Sequence, residues 1–232
     1  NREVGMKELL MVAYELATVL APFLAVYGLL SSWGRHVGKQ TIRFAAALAF
    51  ALYLFAVIYV TGIGTLYDLL RLGFEVRMRE VNLVPFSGGI SLGFALNVAL
   101  FAPLGFLLPL LWRRVRSVLP VVSFGFAFSL LIELSQLANH RTTDVNDLVA
   151  NTLGTLLGFA VFTLYLTLSR KSKTSRPSAL YGLHAASAPI FAPRTARNWA
   201  ALGEPSIYLF AMLAGHFLLF NEYGFAGMLY GF

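Results

Sequence analysis

Long, nearly uninterrupted apolar blocks dominate this chain and decide what it can fold into. A hydrocarbon core about 30 Å thick is crossed by about 20 apolar residues of helix. Five segments match that length: Leu9–Ser31, Phe44–Thr61, Ile90–Trp112, Val118–Ala138 and Leu148–Ser169. A sixth, Ile207–Phe220, has 14 residues and is marginal, so a short span, a re-entrant piece and an interfacial helix are all open. The expected fold class is all-α, a polytopic transmembrane helical bundle of about six membrane segments. Composition agrees: of 232 residues, 58% are hydrophobic and 12% charged, against about 45–50% and about 25% in soluble domains. That excludes a soluble globule, which could not cover so much apolar surface, and a disordered chain, which needs low hydrophobicity.

The charges fall between the blocks. A net charge of +7 would suggest nucleic acid in a soluble protein; here it reads as membrane orientation, and no nucleic-acid partner is expected. With the N-terminus outside, twelve of the eighteen Lys and Arg lie on the inner side, among them Arg113, Arg114 and Arg116, and six lie outside, including Arg141. The absence of cysteine removes disulfides, thiolate nucleophiles and Cys-ligated metals. The chain divides into residues 1–43, an extra N-terminal span and inner loop; residues 44–169, a membrane core; and residues 170–232, a polar connector followed by the short last segment. In the outer connection Gly62–Gly89, Tyr67, Leu70 and Phe74 recur at helical spacing, which fits a short interfacial helix as well as it fits a loop.

Polar residues inside spans are costly and usually face the bundle interior. Ser129, Glu133, Gln136 and His140 share one helix face. So do Asp144, Asp147, Asn151, Gly154 and Gly158, and the last two form a GxxxG step that lets a neighbouring helix approach closely. Asn97 lies at a comparable depth in the third span, where Pro103 and Pro109 can kink the helix. The short link between the fourth and fifth spans makes them neighbours. Asn97, Glu133 and Asn151 should then meet near the outer end, beneath Gln136, Arg141, Asp144 and Asp147, with Glu15 of the first span a further candidate. Glu133, Asp144 and Asp147 are the candidate acid–base groups. Arg141 could hold a phosphate or carboxylate, and Asn82, Asn97, Gln136 and Asn151 could bind a ligand through hydrogen bonds. The same groups could instead only hold helices together. No metal and no cofactor is expected: the histidines are scattered, and nothing matches a phosphate-binding or nucleotide-binding motif.

The order of these polar stretches resembles a known family. Asn82-Leu83-Val84-Pro85-Phe86 precedes Asn97; Ile132-Glu133-Leu134-Ser135-Gln136 follows Arg113 and Arg114; then comes Arg141-Thr142-Thr143-Asp144-Val145-Asn146-Asp147-Leu148, with Asn151, Gly154 and Gly158. The combination resembles the VanZ-like family of bacterial integral membrane proteins over roughly Phe44 to Ser169. The resemblance implies a small multi-pass helical bundle in the bacterial cytoplasmic membrane, in a family whose founding member is associated with low-level teicoplanin resistance and whose molecular activity is poorly defined. The first span, the connector and the last segment are additions to that pattern.

Two functions are expected. One is an envelope protein that binds or modifies the headgroup of a membrane lipid or lipid-linked cell-wall precursor in an outward-facing polar pocket. The other is a non-catalytic scaffold or subunit of a larger membrane complex, with another membrane protein or a second copy as partner. A conducting path is weaker, because the inner halves of the third to fifth spans hold almost no ionisable groups.

Overall fold

The computed structural model describes residues 2–33, 40–73, 81–82, 84–86, 91–138, 143–171 and 202–231. Eight helices are described: α1 (Arg2–Trp33), α2 (Gln40–Thr61), α3 (Leu66–Leu72), α4 (Leu92–Leu111), α5 (Val118–Ala138), α6 (Val145–Lys171), α7 (Gly203–Leu219) and α8 (Glu222–Tyr230). Two-residue strands β1 (Val81–Asn82) and β2 (Thr143–Asp144) pair in parallel, Val81 opposite Thr143 and Asn82 opposite Asp144. Five helical segments are long and apolar enough to cross a membrane, and α7 with α8, bent by 51° at their junction, make a sixth candidate as one broken span. The chain is a multi-pass helical membrane protein. Many large apolar side chains lie exposed on the bundle's outer faces, among them Leu92, Leu96, Leu134, Val161 and Leu164. Water would not tolerate so much exposed apolar surface, whereas lipid does.

The helices differ from the apolar blocks mainly at their ends. Helix α1 begins at Arg2, ahead of the apolar run, with Glu3 and Lys7 one turn apart at 3.7 Å. Helix α6 begins at Val145 because Asp144 precedes it and accepts the Asn146 N–H at 2.8 Å, an N-cap bond. Of the two forms open to the outer connection, the structure has a short helix, α3, shorter than the spacing suggested; Thr65 and Asp68 cap it reciprocally, and Phe74 lies outside the described residues. Helix α4 runs unbroken through Pro103 and Pro109.

Two groups of helices pack side by side. In one, α6 lies along α4 and also contacts α5; in the other, α1 lies along α7. Small residues explain the first pairing. A Cβ on Gly154 would strike the Val98 carbonyl, one on Gly158 the Ala102 carbonyl, and one on Gly105 the Thr155 carbonyl. The GxxxG step of α6 therefore has α4 as its neighbour, with the backbones in direct contact. Gly215 of α7 plays the same part against Thr18 and Pro22 of α1. Helix α2 joins the groups: Phe50, Leu54 and Ile58 are fully buried, Phe50 meets Trp112 edge-on at 4.9 Å, and the Tyr53 hydroxyl donates to the Leu100 carbonyl at 2.9 Å.

The turn between α2 and α3 is tied to both groups. The Thr61 carbonyl accepts from Gln136 Nε2 at 2.9 Å, and the Gly64 N–H donates to Ser135 Oγ at 2.9 Å. On the other side, the Ile63 carbonyl accepts from His216 Nε2 at 2.7 Å.

Candidate functional site

The site begins with Glu133, one turn above Ser129 on the buried face of α5. Both are buried, Glu133 to 5% exposure. Glu133 Oε2 accepts the Asp144 backbone N–H at 3.2 Å, which holds the start of α6 against α5. Asp144 Oδ1 accepts the Asn82 amide at 3.2 Å as well as its own cap bond from Asn146. The Asn82–Asp144 side-chain bond continues the backbone bridge between β1 and β2, which holds Asn82 at the entrance of α6.

Asn146 secures Phe86: its Oδ1 accepts the Phe86 N–H at 2.8 Å. Phe86 has φ 59°, an unusual left-handed conformation for a bulky residue. It follows Pro85 and its ring lies 5.9 Å from Phe94 of α4. Asn146 thus holds a strained backbone in place.

Asp147, one turn into α6, lies within interaction reach of the Asn97 side chain of α4, and both Asp144 and Asp147 lie within electrostatic reach of Glu133. A turn deeper, Asn151 Nδ2 donates to Ser129 Oγ at 2.9 Å. Asn151 is 2% exposed, and its Oδ1 has no hydrogen-bond partner among the described residues. An amide this buried with an idle acceptor can take one more N–H or O–H.

Asn82, Asn97, Glu133, Asp144 and Asp147 therefore come together at one end of the bundle, with Asn151 directly beneath. Gln136 turns toward the α2–α3 turn and donates to Thr61. Arg141 and His140 lie outside the described residues. Glu15 does not join this cluster's hydrogen bonds; its carboxylate lies 3.6 Å from His216 Nδ1 in the α1–α7 group. Among the described residues, no three His, Asp or Glu side chains are grouped to hold a metal ion. Sequence reading passed over Asn146. The signal was present as Asp-x-Asn at a helix start, an arrangement that caps one backbone and frees the Asn to reach another.

The cluster is rich in acceptors. Three carboxylates and the idle Asn151 oxygen suit a ligand that brings N–H, O–H or positive charge. Hydrogen bonds within the cluster preset the position of Asp144.

Comparison with known proteins gives the following. A family model described as VanZ/LLP1 matches residues 50–166. Protein VanZ of Enterococcus faecium is 30% identical over 135 residues, which covers 57% of this chain and 83% of that protein. No solved structure matches.

Proposed function

Since the chain belongs to the VanZ/LLP1 family, we propose that it is a bacterial cytoplasmic-membrane protein whose polar cluster binds or modifies the headgroup of a lipid or a lipid-linked cell-wall precursor. The observation that carries this reading is the convergence of Glu133, Asp144 and Asp147 with Asn82 and Asn97, drawn from β1, β2, α4, α5 and α6, at one end of helices otherwise built from apolar residues. Ionisable groups at membrane depth are costly and usually mark a functional site. The Lys and Arg bias supports an outer-side position for that end, where precursor headgroups would be met. In this reading Glu133 is the acid or base, Asp144 and Asp147 orient the ligand, Asn151 supplies the deepest acceptor, and Arg141 holds a phosphate or carboxylate. By resemblance the cellular outcome is reduced susceptibility to teicoplanin.

A second reading has its own support. Most of these groups bond one another: Glu133 with the Asp144 N–H, Asp144 with Asn82, and Asn151 with Ser129, with Asn97 beside Asp147. A cluster so paired also serves a non-catalytic scaffold. Glu133→Gln separates the two. Gln keeps an acceptor for the Asp144 N–H but loses the charge. The headgroup reading expects wild-type expression and insertion, loss of any teicoplanin phenotype, and an altered envelope lipid profile by mass spectrometry. An unchanged phenotype and lipid profile would favour the scaffold.

A further inference from the structure

A second polar site lies where the flanking helices meet the edge of the family-matched core. Helices α1, α7 and α8 close against the α2–α3 turn around a cavity of about 530 Å³, within the range of about 300–1,000 Å³ typical of small-molecule sites. Four carboxylates line it, Glu8, Glu15, Asp68 and Glu222, and among the described residues no Lys or Arg does. In a chain of net charge +7, this is a local reversal of sign. Glu8 and Glu222 are exposed at the rim, whereas Glu15 and His216 are buried at the floor.

His216 fixes the chemistry. Its Nε2 lies 2.7 Å from the Ile63 carbonyl, which can only accept, so Nε2 carries the hydrogen. In the neutral ring that leaves Nδ1 as an acceptor. His216 is 2% exposed, and Nδ1 has no hydrogen-bond partner among the described residues. Across from it, 3.6 Å away, is Glu15 Oε1, a second acceptor. A proton shared between Glu15 and His216 can satisfy both groups within the chain, and in an acid-lined cavity an incoming positively charged donor meets the same demand. Among the described residues no three side chains are grouped to grip a metal ion, and the spread of carboxylates from rim to floor suits an extended cation better than a compact one. Asp68 adds charge while held in place: Oδ1 accepts the Tyr223 hydroxyl at 2.7 Å and Oδ2 accepts the Thr65 N–H at 2.8 Å. Arg71 lies over the Tyr223 ring at 4.3 Å, which steadies the α8 wall.

We propose that this cavity is a second ligand site that takes a small organic ammonium bearing N–H groups, with Glu15 and His216 Nδ1 receiving its leading ammonium and Glu8, Asp68 and Glu222 supplying the surrounding negative charge. It is separate from the Glu133 cluster, and Glu8, Glu15, His216 and Glu222 all lie outside the span shared with the family.

The test is calorimetric titration of the full chain, in uncharged detergent, with 1,4-diaminobutane and with tetramethylammonium. The diamine should bind saturably with one ligand per chain. Tetramethylammonium, which has charge but no N–H, should bind at least about tenfold more weakly, the worth of a charge-assisted hydrogen bond. Glu15→Gln should weaken diamine binding by about tenfold or more on the same ground. Glu222→Gln changes only the exposed rim, so it tests the site even if Glu15→Gln disturbs folding; it should weaken binding about two- to fivefold, as a screened surface charge would. No saturable diamine binding, equal binding of both cations, or full affinity in both variants would overturn the proposal.

Discussion

Gly158→Ala is the sharpest probe of how this bundle is held together. At an unobstructed helix position, Gly→Ala stabilises by about 0.5–1 kcal/mol through backbone entropy. At Gly158 the new Cβ would strike the Ala102 carbonyl oxygen and lie 3.0 Å from the Phe106 nitrogen, both of them backbone atoms of α4. A backbone cannot turn aside as a flexible side chain can, so α6 must withdraw. A gap of about 0.5–1 Å forfeits a quarter to a half of each dispersion contact it opens. Gly105 and Gly154 share the same seam, so the loss spreads along it. Overpacking of this kind costs about 1–3 kcal/mol; set against the entropy gain, the net should be a destabilisation of about 1–2 kcal/mol. Gly28→Ala is the matched control, because a Cβ there meets nothing within 4 Å; it should be neutral or stabilising by up to about 1 kcal/mol. Equilibrium unfolding in mixed micelles of mild detergent and SDS, followed by circular dichroism, reads both. A Gly158→Ala protein as stable as wild type, beside the expected Gly28→Ala result, would refute the close α4–α6 contact.

Asn97→Ala should cost little, about 0.6 kcal/mol, the average for interhelical hydrogen bonds in membranes. Asp144→Ala removes the α6 cap and the Asn82 bond together and should cost about 1–2 kcal/mol in the same unfolding assay; a larger loss for Asn97→Ala would reverse the assigned roles. Because the chain has no native cysteine, single-Cys labelling is free of background. A Cys at Thr143 should react with an impermeant reagent in intact cells or spheroplasts, and one at Ser117 should not; the opposite pattern inverts the orientation.

The helical class and the span count were legible because burial in lipid needs only apolar length. Fine placement was not. The GxxxG step announced a close neighbour, but only three-dimensional packing identifies α4, since Gly105 and Ala102 look like ordinary small residues in sequence. The periodicity that grouped Glu133 with Gln136 could not show that Gln136 turns away to Thr61, because i and i+3 positions on one face diverge by about 60° at 100° per residue. His216 looked solitary for a different reason: its bonding partner Ile63 and its neighbour Glu15 are separated from it by most of the chain, and no local pattern records such a meeting.

The α2–α3 turn gives the bundle its cooperativity. Within a few residues, the Thr61 carbonyl and Gly64 N–H are satisfied by α5, and the Ile63 carbonyl by α7. Pulling either helix group away leaves these main-chain groups without their side-chain partners, at about 1–3 kcal/mol for each that stays buried and unmet. The core and the flanking helices should therefore not behave as separate foldons that open one after the other. They lose structure together, and the flanking helices, though outside the family pattern, share the stability of the core they adjoin.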